Sequence, residues 1–214
     1  MSDMLKITAV SKYKGMTWKI EFEDRDAEFL NYELVSRYNL KAGISLPLSA
    51  WEEIKAEEEY RKARERALYL LDYRDYSYID LFHKLEKNYT EDTCYRVMDK
   101  LVELGMINDR RYAASAARHY VEVKHFGRSR AFREMRLKGL TAEVINAALD
   151  TYDEDEEETW YDRLYELVES KYLRYLGDEK GENKVKNALV RYGWSYDLIR
   201  EVLHDIEEEH ELDS

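Results

Sequence analysis

The sequence predicts a mainly α-helical protein: tandem three-helix modules forming an elongated, curved array, preceded by a small N-terminal β-hairpin segment and a long connecting helix. Three observations carry this expectation. Charged residues make up 37% of the 214 residues, with one proline and eight glycines, a composition that favours helices. A pattern of helix terminator, cap and apolar stripe occurs three times at roughly fifty-residue spacing, near the upper limit of periods for stacked helical repeats. Only the N-terminal stretch alternates with the period of a strand.

Leu5 to Val10 and Thr17 to Phe22 read as two strands, because Trp18, Ile20 and Phe22 alternate with polar neighbours and Lys14-Gly15 lies between the runs. Two strands alone are marginal in water, so the hairpin should gain a third strand or a helix from Phe29, Leu30, Tyr32, Leu34 and Val35, with its outer edge left open. After Pro47, Ser49 and Glu52 have the spacing of a capping box, and Trp51 and Ile54 face inward. The stretch from Ala56 to Arg66 is almost wholly charged and reads as a connecting helix, with Glu57–Arg61 and Glu58–Lys62 as i,i+4 pairs. Ser77 and Asp80 repeat the capping-box spacing ahead of Leu81, Phe82 and Leu85.

The repeat emerges when helix starts are aligned. Thr90, Thr141 and Ser195 each precede apolar residues at plus four, seven and eight: Cys94, Val97 and Met98; Ile145, Ala148 and Leu149; Ile199, Val202 and Leu203. Two positions before each cap stands Asn88, Gly139 or Gly193, residues that tolerate the left-handed conformation ending a helix. Within the central copy Asp109 is the expected cap of the first helix, and Arg128 to Leu137 forms the second. The expected segments are residues 1–48 (hairpin), 49–108 (connecting helix and first module), 109–153 (second module) and 154–214 (third module and acidic tail). Leu81, Leu85, Val97, Leu101, Ile145, Leu149, Leu189, Ile199 and Leu203 are the expected core.

Few residues point to chemistry. The five histidines have no metal-ligand spacing and there is no phosphate-cradling glycine loop, so neither cofactor nor catalytic step is expected. Cys94 is a lone, inert thiol on a core face, and most of Tyr112, Tyr120, Tyr152, Tyr161, Tyr165, Tyr172 and Tyr175 fall at helical spacing, as packing residues do. No stretch reads as a membrane span or signal peptide, which gives a cytoplasmic expectation. The run from Asp153 to Glu158 reads as a solvated turn and helix start. What stands out, in a chain of formal net charge −12, is a cluster of six cations: Lys124, Arg128, Arg130, Arg133, Arg136 and Lys138, with Glu134 as the acid among them. They are the candidate partner-binding residues, for a polyanionic or acidic partner; a solvated helix face is the alternative. Helical steps of 100° put Arg130, Arg133 and Arg136 along one side. Base reading by a helix-turn-helix is not expected, since Thr141 to Tyr152 holds no basic residue.

The run ALYLLDYRDYSYIDLFHKL at Ala67 to Leu85, the joint LGMINDRRYA at Leu104 to Ala113, and FG with MRLKGL between Phe126 and Leu140 resemble the RecX family of regulators of the RecA recombinase. The resemblance runs from about Glu33 to Glu207 and is weakest in the third copy; Asn88 departs from the glycine usual in the family. It implies a non-enzymatic, monomeric protein that docks along the groove of a RecA filament on DNA. There it would arrest filament growth and damp strand exchange and co-protease activity, and through them DNA repair and the SOS response. Single- or double-stranded DNA is a further candidate partner. A helical-repeat DNA-binding protein and a generic interaction scaffold are the alternatives.

Overall fold

The computed structural model describes residues 4–153 and 159–212; residues 154–158, most of the acidic run, lie outside it. In chain order the elements are β1 (Met4–Lys14), β2 (Thr17–Phe22), β3 (Glu28–Asn31), α1 (Tyr32–Arg37), β4 (Ser45–Pro47), α2 (Leu48–Tyr73), α3 (Tyr78–Leu85), α4 (Glu91–Glu103), α5 (Asp109–Arg118), α6 (Arg128–Arg136), α7 (Ala142–Asp150), α8 (Trp160–Lys171), α9 (Glu179–Arg191) and α10 (Tyr196–Leu212). They form two compact units, Met1–Arg74 with Phe82–Met106 and Asp75–Leu81 with Ile107–Ser214.

In the first unit the hairpin is the centre of a four-stranded antiparallel sheet of order β3-β2-β1-β4. β3 pairs along β2, and β4 covers only the start of β1, with Leu46 opposite Leu5; beyond Ile7 the outer side of β1 has no strand partner among the described residues, so the open edge expected from the sequence persists there. Three residues with a proline carry no alternation to recognise, so β4 exists only through its partner. One sheet face supplies Ile7, Ile20, Phe22 and Leu30 to a core completed by Val35, Trp51 and Ile54. Trp51 packs edge-on against Phe22 at 4.8 Å and donates its indole N–H to Glu28 at 3.1 Å.

The connecting helix α2 starts at Leu48, one residue before the expected cap, so Ser49 lies inside the first turn and the Ser49–Glu52 box does not form; Pro47 takes the cap position. Its charges reach further than i,i+4. Glu57 pairs with Arg96 at 2.8 Å rather than with Arg61, while Glu58 holds Arg61 at 2.9 Å and Lys62 at 3.3 Å. Glu59 accepts from the Thr90 backbone N–H at 2.7 Å and from both Thr90 and Thr93 hydroxyls, capping α4 in place of Thr90's own side chain. Glu58 is 5% exposed and also receives the Asn31 N–H at 3.3 Å, tying β3 to α2. Burial pushes its carboxyl up, but Arg61, the Asn31 N–H and Lys62 outweigh that and hold its pKa below 4.5. A carboxyl that binds its proton more weakly folded than unfolded contributes stability above pH 4.5 and loses it as pH falls through its folded-state value. Glu58→Gln should therefore flatten the acid limb of a plot of Tm against pH below that point; an acid limb identical to the parent's would show that Glu58 does not contribute.

The second unit contains two complete three-helix modules. Asn108, not Asp109, caps α5, its side chain accepting from Arg111 N–H at 3.0 Å; the Asp109 carboxylate instead receives the Tyr78 N–H at 2.8 Å, at the start of α3. Ser77 is wholly buried, accepts from Asp80 N–H at 3.1 Å as its spacing predicts, and donates its hydroxyl to the Lys138 carbonyl. The helix α5 continues into a π-helical turn, His119–Val123, before α6. Thr141 caps α7, Ser195 Oγ accepts from Leu198 N–H at 3.3 Å, and Gly139 and Gly193 end the preceding helices at φ +78° and +89°. Asn88 is not left-handed: the first copy turns on hydrogen bonds from the Asn88 and Tyr89 N–H groups to the Leu85 carbonyl.

All nine expected core residues are buried, none more than 2% exposed. Cys94 is fully buried, and burial pushes its thiol pKa up, as suits an inert thiol. Tyr112, Tyr120, Tyr152, Tyr161, Tyr165 and Tyr172 pack on the module cores, whereas Tyr175 is 49% exposed.

Candidate partner-binding surface

The six cations of the central module have different surroundings. Arg128 opens α6, where the helix dipole disfavours a cation, and this is offset by two carboxylates: Asp150 at 2.5 Å and Asp153 at 2.7 Å. Arg130 is held from several sides. Its guanidinium lies 4.0 Å from the Phe126 ring centroid and 5.5 Å from that of Tyr192, donates to the Arg191 carbonyl at 3.0 Å, and has Glu134 at 3.7 Å. Both side chains join the second module to the third or to its own last helix.

The remaining four keep more of their charge available. Arg133 is exposed on the outer side of α6 and makes no ion pair to any described residue. Arg136, also exposed, donates to the Leu140 carbonyl at 2.7 Å, a contact that satisfies an acceptor in the turn between α6 and α7 without neutralising the guanidinium. Lys124 is exposed just beyond the π turn, and Lys138 is half-buried at the turn into α7. Glu134, the acid of the segment, leans toward Arg130 and so leaves Arg133 and Arg136 uncompensated. Beside α6, Arg128, Ser129, Phe132, Trp160, Trp194 and Leu198 line an apolar cleft of 610 Å3.

The joint between the second and third modules is the feature that residue patterns did not reveal. Gly127 N–H donates to the Tyr192 carbonyl at 2.9 Å, Ser129 Oγ to the Gly193 carbonyl at 2.7 Å, and the Trp194 indole to the His125 carbonyl at 3.3 Å. Trp160 lies against Trp194 at 5.7 Å. Gly193 is legible as a helix terminator; its second role, letting the start of α6 approach the turn, is visible only when the two backbones are together. For Arg128 there is a local signal, a cation at a helix N-terminus, which calls for an acid nearby.

Among the described residues, no group of three or more His, Cys, Asp or Glu side chains is placed to hold a metal ion, and no helix is long and apolar enough to cross a membrane. The fold and this surface define a modular helical protein whose exposed chemistry is charge. Family models for the second and third three-helix domains of RecX match residues 108–149 and 157–203. The regulatory protein RecX of Clostridioides difficile is 28% identical over 90% of this chain and 96% of its own length, and that of Clostridium tetani 27% identical over 96% of each. The crystal structure of RecX from Lactobacillus salivarius, 26% identical, covers 71% of this chain and 98% of its own with a TM-score of 0.63. A second RecX crystal structure, 21% identical, covers 92% and 98% with a TM-score of 0.66 and supports the fold. The chain is thus similar to RecX proteins along nearly its whole length, and the curated relatives it matches are named regulatory proteins.

Proposed function

We propose that this chain regulates the RecA recombinase by docking on RecA–DNA filaments in the cytoplasm and restraining recombination, DNA repair and the SOS response, by contact and without a catalytic step. The observation that carries the proposal is the uncompensated positive charge of Arg133 and Arg136 on the central module of a chain that is otherwise acidic. Such a patch orients an acidic protein on a filament that presents both protein surface and phosphate, because like charge elsewhere on the chain disfavours other approaches. Lys124 and Lys138 extend it. Arg128 and Arg130 contribute by holding the modules in place.

The test is retention of the monomeric chain on RecA–single-stranded DNA filaments, compared with free RecA and with bare DNA. The Arg133→Glu, Arg136→Glu double variant is expected to lose retention at least several-fold while its stability changes by less than about 1 kcal/mol, as exposed substitutions usually do. If the two arginines touch phosphate, the dependence of log affinity on log salt should become shallower by roughly one unit for each lost contact. A folded double variant that binds filaments like the parent would remove these arginines from the interface. Absence of any filament binding by the parent chain would remove the proposal itself.

A further inference from the structure

The end of the sheet that carries the β1–β2 turn brings unpaired lysines together with exposed rings. From Met4 to Ile20 there are four lysines and no acidic residue, in a protein of formal net charge −12. Lys6 is paired with Glu23 and Lys19 with Glu21, whereas Lys12 and Lys14 make no ion pair to any described residue. The strand register gathers rings at the same place. Phe29 stands opposite Lys19 and so points away from the core, and Tyr13, in the irregularity between Lys12 and Lys14, meets it across β2 with ring centroids 4.8 Å apart. Both rings remain open to solvent, Tyr13 at 65% and Phe29 at 42% exposure. Nearby, Trp18 and Tyr32 are paired at 5.1 Å, and the Tyr32 N–H is held by the Met16 carbonyl at 2.8 Å, which anchors the turn to the end of β3.

We propose that this end of the sheet is a binding surface for single-stranded nucleic acid, in which Tyr13 and Phe29 stack bases and Lys12 and Lys14 contact the flanking phosphates. A purely apolar partner would gain nothing from unpaired lysines beside the rings, and a simple polyanion would gain nothing from the rings. Unstacked bases on a phosphate backbone use both, and aromatic side chains displayed on a sheet face are an effective platform for them. Duplex bases have their faces occupied and cannot stack on the pair. Nothing in the surface requires a RecA contact, so binding is measured without RecA.

The experiment titrates the full chain into fluorescein-labelled oligo(dT) and follows anisotropy at several salt concentrations, with a duplex of equal length and inorganic polyphosphate as comparators. The parent is expected to bind the single strand about tenfold or more tightly than the duplex, and Tyr13→Ala with Phe29→Ala to weaken it by about tenfold or more at unchanged melting temperature. Lys12→Gln with Lys14→Gln should make the salt dependence shallower by about one to two units. Photocrosslinking of a bromodeoxyuridine oligonucleotide to the parent, which needs no variant to fold, should map to peptides containing Tyr13 or Phe29. Equal binding of duplex and single strand, full competition by polyphosphate with the ring variant unaffected, or crosslinks elsewhere would overturn the proposal. So would a parent that binds no oligonucleotide while its ring variant loses binding to free RecA, which would make the surface a protein contact.

Discussion

Trp51→Ala should destabilise the first unit by about 3–5 kcal/mol, the range for emptying the site of a large buried aromatic. Trp51 is fully buried in the layer between the sheet and α2, and Ile7, Ile20, Leu30 and Ile54 share its core. Deleting it removes the edge-on partner of Phe22 and opens a cavity in a small core with little capacity to collapse. Trp51→Phe separates the two contributions. It keeps a six-membered ring in the site but loses the indole N–H and part of the ring volume; Glu28 retains Lys55 at 3.0 Å, so this variant should cost less than the alanine variant, about 1–3 kcal/mol. Denaturant titration followed by tryptophan-independent circular dichroism measures both. An alanine variant within about 1 kcal/mol of the parent would mean that the sheet is not stabilised through this residue.

Much of the fold was legible because its signals are local. The plus-four, seven and eight stripes of α4, α7 and α10 identify buried faces directly, and Thr141 and Gly139 mark ends by chemistry that acts within a few residues. What escaped depends on partners far along the chain. β4 needs Leu5, the cap of α4 is Glu59, and Asp109 serves α3 rather than its own helix. Asn88 follows the glycines in sequence position, yet its turn closes without left-handed backbone, so the alignment was correct and the inferred conformation was not. The charge cluster shows the same division. Its location was readable, but the employment of Arg128 by Asp150 and Asp153, and of Arg130 by Phe126 and Tyr192, is a tertiary matter. Periodicity identifies which residues face outward; it does not identify which of them already have a partner.

Gly193→Ala should cost more than either effect acting there alone. The residue has φ +89°, a conformation that costs an L residue about 1–2 kcal/mol. A β-carbon at this position would also lie 2.4 Å from Arg130 Cβ and 2.5 Å from Arg130 N, and overpacking of this kind adds roughly 1–3 kcal/mol. Neither backbone can move aside cheaply, since the Gly127 N–H and Ser129 hydroxyl are bonded to the same turn. Two further glycines isolate the components. Gly105, at φ +66° with nothing within 4 Å, carries the conformational cost alone; Gly127, at an ordinary φ of −68° but with its β-carbon position 2.5 Å from the Gly193 carbonyl carbon, carries the steric cost alone. The expected order of destabilisation is Gly193→Ala above both Gly105→Ala and Gly127→Ala, with a total of about 2–5 kcal/mol for Gly193→Ala. Hydrogen exchange should show the excess as loss of protection at the start of α6 and in the turn before α10. If Gly193→Ala costs no more than Gly105→Ala, the close approach of the two modules contributes nothing beyond the turn itself, and the second and third modules are not locked by this joint.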